Sequence, residues 1–67
     1  MNARPAHVNF TVNVGVAVPS TVELYPLPPR IVRLIPRYRG YEFFLLPDGR
    51  IVIVEPRTLK IVFIISP

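Results

Sequence analysis

One histidine, four carboxylates and no cysteine are spread along 67 residues, which leaves little for catalysis to use. Nucleophilic chemistry needs a hydroxyl or thiol beside a base. Ser20, Thr21, Thr58 and Ser66 have no histidine in their sequence neighbourhood, and His7 stands alone ahead of the first predicted strand. Glu42 follows Arg39, Asp48 precedes Arg50 and Glu55 precedes Arg57, so these acids read as surface ion pairs or turn residues rather than a general acid–base pair. No enzyme and no cofactor are expected. A closed metal site needs more ligands than one histidine supplies, so no metal site is assigned. The one arrangement left open is a site shared by His7 residues of two copies.

A second group of residues could bind rather than react. Arg30, Arg33, Arg37 and Arg39 fall within ten residues that hold no acid, with Tyr38 and Tyr41 among and beside them. Guanidinium groups next to aromatic rings can clamp carboxylate or phosphate and stack on planar groups. These six residues are the candidate anion- or partner-binding set. The competing account, favoured on sequence alone, is that a short amphipathic helix needs a wet face and the tyrosines pack at a strand start. The net charge of +4 is within the range of any small soluble domain. No RNP, zinc-finger or helix-turn-helix pattern is present, so nucleic acid is disfavoured against another acidic polymer.

The elements that must position this group are mostly extended. Residues 41–46, 51–54 and 59–65 are apolar runs separated by Pro47-Asp48-Gly49 and Glu55-Pro56-Arg57-Thr58. Leu46-Pro47-Asp48-Gly49 suits a type I turn with a bulge, or a two-residue loop at Asp48-Gly49; Pro56 opens a second turn. Two such turns make a three-stranded antiparallel meander. Val8, Phe10, Val12, Val14, Val16 and Val18 alternate with Asn9, Thr11, Asn13, Gly15 and Ala17, which predicts a long N-terminal strand over residues 8–18, with a bulge or close approach at Gly15. Pro26-Leu27-Pro28-Pro29 reads as a stiff corner in preference to an SH3- or WW-type ligand. Ile31, Leu34 and Ile35 at i, i+3 and i+4 predict a short helix, opened by Pro28 or Pro29 and stopped by Pro36, with its arginines outward. The expected fold is α+β and mostly β: the meander, the long N-terminal strand and one short helix.

Both faces of the meander are apolar, whereas a small antiparallel sheet usually keeps one face wet. A helix of about seven residues can cover only part of one face. The other face calls for a partner, and a homodimer or larger oligomer is expected, with Val12, Val14, Val16, Val52, Val54, Val62 and Ile64 as the candidate self-interface. Exchange of the N-terminal strand is one route. A barrel-like monomer, its long strand bent at Gly15, is the rival. One domain over residues 8–66 is expected, behind a flexible N-terminus of residues 1–7. At 51% apolar the chain is not disordered. Its longest apolar run, Ile61–Ile65, is far short of the ~20 residues of a membrane helix. Residues 1–4 do not lead into the apolar stretch of a signal peptide.

Tyr38-Arg39-Gly40-Tyr41, Ile51-Val52-Ile53-Val54-Glu55-Pro56-Arg57-Thr58 and Ile61-Val62, with residues 12–19 and Tyr25-Pro26-Leu27-Pro28, resemble a bacterial family, the domain of unknown function 1236. The resemblance spans residues 12–65. Glu55 stands where that pattern more often has aspartate, a change the turn tolerates. The resemblance implies an exported or periplasmic, envelope-associated protein of alphaproteobacteria, often with a signal peptide and a low-complexity segment ahead of the domain, and it implies no activity. The segment beginning Arg39-Gly40-Tyr41 is also remotely similar to periplasmic proteins of nickel and cobalt homeostasis. The expectation from residues and resemblance together is a non-catalytic, self-associating envelope module. The alternative is a polyanion binder whose partner is an acidic envelope polymer.

Overall fold

Two proline-opened turns organise the C-terminal half, as the computed structural model, which describes residues 3–67, shows. The elements are β1 (Tyr25–Pro26), α1 (Pro29–Leu34), a 3-10 turn (Pro36–Tyr38), β2 (Glu42–Leu45), β3 (Ile51–Val54) and β4 (Ile61–Ile65). The strands form one antiparallel sheet in the order β1-β2-β3-β4. At the β2–β3 connection the Gly49 N–H donates to the Leu46 carbonyl (2.9 Å), closing the turn around Pro47 and Asp48. The β3–β4 connection is longer than its sequence suggests. Leu59 adopts φ +61 and belongs to the turn, its N–H donating to the Glu55 carbonyl (2.8 Å), so β4 begins at Ile61 rather than at Leu59.

The long N-terminal strand does not form among the described residues. Residues 8–18 contribute one isolated bridge, Ala17 with Lys60, and the fourth strand is the two-residue β1 instead. The alternation nevertheless has a physical counterpart. Val8, Phe10, Val12 and Val16 pack against the sheet and Val18 is buried, while Asn9, Thr11, Asn13 and Ala17 face solvent. Any extended chain lying on an apolar surface sorts its side chains with period two. A ladder also requires running along a free edge, and this arm crosses the strands. The Ala6 N–H donates to the Leu45 carbonyl at the β2 side (2.8 Å). At the far side the Gly15 N–H donates to the Ile61 carbonyl and the Val18 N–H to that of Leu59, both at 2.8 Å. Gly15 turns the arm onto β4 with φ +94, a region that disfavours side chains. Pro5 and Ala6 are thus tied to β2; residues 1 and 2 of the expected flexible N-terminus lie outside the described residues.

The sheet is therefore covered twice. On the arm side Phe44, Leu46, Val52, Val54 and Ile61 are buried with Val18, and the Phe10 ring meets Phe44 edge-on at 6.3 Å. On the helix side Phe43 and Ile53 are buried with Leu27 and Ile31. Leu27 gives the proline-rich segment a packing role, as the corner reading requires. Val52 and Val54, expected at a self-interface, are fully buried within the chain. Val12, Val16 and Ile64 are half-buried against the same cluster, Val62 is half-buried on the helix side, and Val14 alone of that set is largely exposed. On this side the arm of the same chain covers the surface that a second copy was expected to cover.

Candidate anion-binding face

The α1 helix is built as its residues direct. Pro29 occupies the first turn, where its missing N–H leaves no bond unmade, and Arg33 in the last turn complements the helix dipole. Ile31 points into the sheet. Leu34 does not share its burial, although the i, i+3 spacing predicts that it should: it is 74% exposed. The helix ends at Leu34 because Ile35 leaves helical geometry (φ −134°, ψ 74°) ahead of Pro36, and the chain turns inward only with Ile35, half-buried in the helix-side cluster. Leu34 also follows Arg30 by four residues, so it lies at the margin of the apolar face, toward the exposed arginine, and six helical residues bury only the centre of that face.

Beyond the 3-10 turn, Tyr38-Arg39-Gly40-Tyr41 folds back sharply. Arg39 has φ −55° and ψ 131° and Gly40 has φ +83, the geometry of a type II turn, and the Tyr41 N–H donates to the Tyr38 carbonyl (2.9 Å). The turn sets the two tyrosine rings side by side, with centroids 5.3 Å apart. A third ring joins them from β4. Ile53 faces Phe63 and Val54 faces Ile61, so Val62 is an extra residue in the register, and the bulge leaves Phe63 on the helix side. Phe63 lies 5.9 Å from Tyr38 and is 41% exposed. Sequence reasoning missed both Leu34 and Phe63. A bulge between two apolar residues has no signal in a strand that is apolar throughout.

All four candidate arginines, Arg30, Arg33, Arg37 and Arg39, are exposed, and none is in an ion pair among the described residues. The single salt bridge among the described residues joins Arg50 Nε to Asp48 Oδ2 at 2.9 Å. Tyr38 and Tyr41 are half-buried against the helix-side cluster, so the six candidates do share one layer of the molecule. The charge distribution is uneven. Outside this layer Arg4, Arg50, Arg57 and Lys60 are matched in number by Glu23, Glu42, Asp48 and Glu55, so the layer carries the whole net charge of +4. Glu42 pairs with Val54, whose side chain belongs to the arm side, so Glu42 projects away from the arginines. Between α1 and the start of β3 runs a groove of about 480 Å³, lined by Pro28, Pro29, Ile31 and Ile51 together with Arg30 and Arg33.

The remaining polar groups serve turns. Asp48 is held below the usual carboxylate range by the Arg50 backbone N–H, then by the Arg50 side chain and its charge. Glu55 is lowered by the N–H of Arg57 and then by that of Thr58. His7 is exposed and lines two clefts, one with Glu23 and one with Asp48, but it hydrogen-bonds to neither. Among the described residues no three or more histidine, cysteine, aspartate or glutamate side chains gather into a metal-binding group, and no helix is long and apolar enough to cross a membrane.

No curated protein and no solved structure matches this chain. The model of one family, described as a domain of unknown function (DUF1236), matches residues 1–66, nearly the whole length, and the protein belongs to that family.

Proposed function

We propose that this protein is a non-catalytic binding module of the cell envelope that holds an extended polyanion on its α1 and 3-10 layer. The observation that carries the reading is the segregation of charge: the four arginines of one layer account for the whole net charge and have no acid of their own. Exposed arginines with no ion-pair partner among the described residues, beside two half-buried tyrosines, are available to carboxylate, sulfate or phosphate groups. The family resemblance supports the envelope as the compartment.

Binding to a soluble carboxylated polysaccharide such as polygalacturonate, measured by calorimetry with neutral dextran as control, tests this. Affinity should fall steeply with salt. Arg30→Glu with Arg33→Glu should lower it by at least about tenfold, while stability stays within roughly 0.5 kcal/mol because both side chains are exposed. Affinity untouched by the double change removes this function.

A further inference from the structure

A soluble polyanion would use the arginines of this face and leave its apolar residues without a role. Among the described residues the exposed large apolar side chains are Val14, Leu34 and Phe63. Two of the three, Leu34 and Phe63, lie in the layer that carries the net charge. We propose that the polyanion met by this face is the headgroup layer of an anionic lipid bilayer, with Leu34 and Phe63 entering the interface and the arginines resting on the headgroups. The proposal rests on the reading of this layer as an anion-binding face and names its partner.

Three observations and one property of arginine favour a bilayer. Leu34 follows Arg30 by four residues and so shares its stripe of the helix, which places an apolar group beside a cation. Arginine can lay its methylene stem along apolar surface while its guanidinium stays with the headgroups. Tyr38 and Tyr41 each combine an apolar ring with a hydroxyl, the combination that settles at the boundary between lipid and water. The groove beside α1 is lined by four apolar residues and two arginines with no acid among them, a lining that suits an acyl segment and its anionic headgroup. Six residues of α1 are too few to bind as a free amphipathic helix. The docking unit is the whole layer, held rigid by the sheet.

The test is cosedimentation with large unilamellar vesicles containing equal parts phosphatidylglycerol and phosphatidylcholine, run alongside the polygalacturonate titration. The protein should partition to these vesicles and not to pure phosphatidylcholine, and should be released by salt. Each arginine removed should weaken partitioning by about fivefold. Leu34→Ser with Phe63→Ser should weaken vesicle binding by about tenfold or more and leave polygalacturonate affinity unchanged. Phe63 also packs on Tyr38, so a second variant keeps the test clean: the chain contains no tryptophan, and Leu34→Trp places a single reporter at the most exposed apolar position of the layer. Its emission should shift to the blue with anionic vesicles. An unshifted emission, or vesicle binding by the double serine variant equal to that of the parent, overturns the proposal. Polygalacturonate binding without vesicle binding overturns it too and leaves the polyanion reading standing. Failure of both probes ends both.

Discussion

The two faces of the sheet are covered by opposite strategies. On one side an irregular arm crosses the strands and buries Phe44, Val52, Val54 and Ile61 almost completely. On the other a six-residue helix and a 3-10 turn cover Phe43 and Ile53 but leave Leu34 largely and Phe63 partly in water and hold all the net charge. A chain of 67 residues needs both covers to have a core at all. Only the arm side is finished as a core; the helix side keeps apolar and cationic groups outward, where they add little to stability and can meet a partner.

The most severe way to probe this contrast is to open the arm side. Phe44→Ala removes a fully buried ring that touches Phe10 across the arm–sheet contact. A change of this kind costs about 3–5 kcal/mol, comparable with the roughly 3–5 kcal/mol that a core of this size supplies in total. The variant should be largely unfolded at 25 °C by circular dichroism. A cooperative urea transition near the parent midpoint would mean that the arm is a loose strap, and the contrast between the faces would fail.

A milder pair of changes compares the turns that fix the two covers. Gly15 steers the arm onto β4, and Gly40 closes the tyrosine turn. A methyl group at either position meets no atom within 4 Å, so alanine brings only the strain of positive φ, about 1–2 kcal/mol. Gly15→Ala should lower the urea midpoint and leave polygalacturonate affinity as it was. Gly40→Ala should lower the midpoint to a similar degree and also weaken binding, because it parts Tyr38 from Tyr41. Equal binding losses in the two variants would show that the face depends on global stability and not on its local turn.

Much of this contrast is legible in the residues themselves. The meander follows from its two proline-opened turns, the helix from Pro29 and Ile31, and the arginine layer from a stretch free of acid. The arm is half legible: valines at every second position report an extended chain with one buried side, and that pattern is the same whether the chain lies within a sheet or across one. What separates the two is whether a free edge is available over the whole length, which is a property of the assembled sheet. Leu34 and Phe63 are hidden for a related reason. How much of a short helix's apolar face the sheet buries, and where a bulge falls between apolar neighbours, are decided by packing, and neither changes the composition of its segment. Two apolar faces call for two covers; the arm supplies the second within one chain, as the rival monomer reading has it, but it packs across the strands with a single isolated bridge and does not pair as a long strand.

The smallest expected effect bears on the frame that both covers share. Asp48 and Glu55 sit in the two hairpin turns, and both are held below the usual carboxylate range, by the N–H of Arg50 and of Arg57 first. A carboxylate whose folded pKa is depressed binds its proton less readily than in the unfolded chain, so the unfolded state takes up more protons as pH drops through the ordinary carboxylate range, near 4. The stabilisation is present in full above that range and is lost as pH falls through the lower folded values. Both groups are solvent-exposed, so the effect is modest and salt weakens it. The urea midpoint should be flat from pH 7 to about pH 5 and decline toward pH 3, and Asp48→Asn with Glu55→Gln should flatten that decline. Because the turns join β2, β3 and β4 and belong to neither cover, acid should loosen both faces together. An acid response in which near-ultraviolet tyrosine signals are lost well before the far-ultraviolet sheet signal would instead show that the helix-side cover releases by itself, which would make the incomplete face the weaker one in energy as well as in burial.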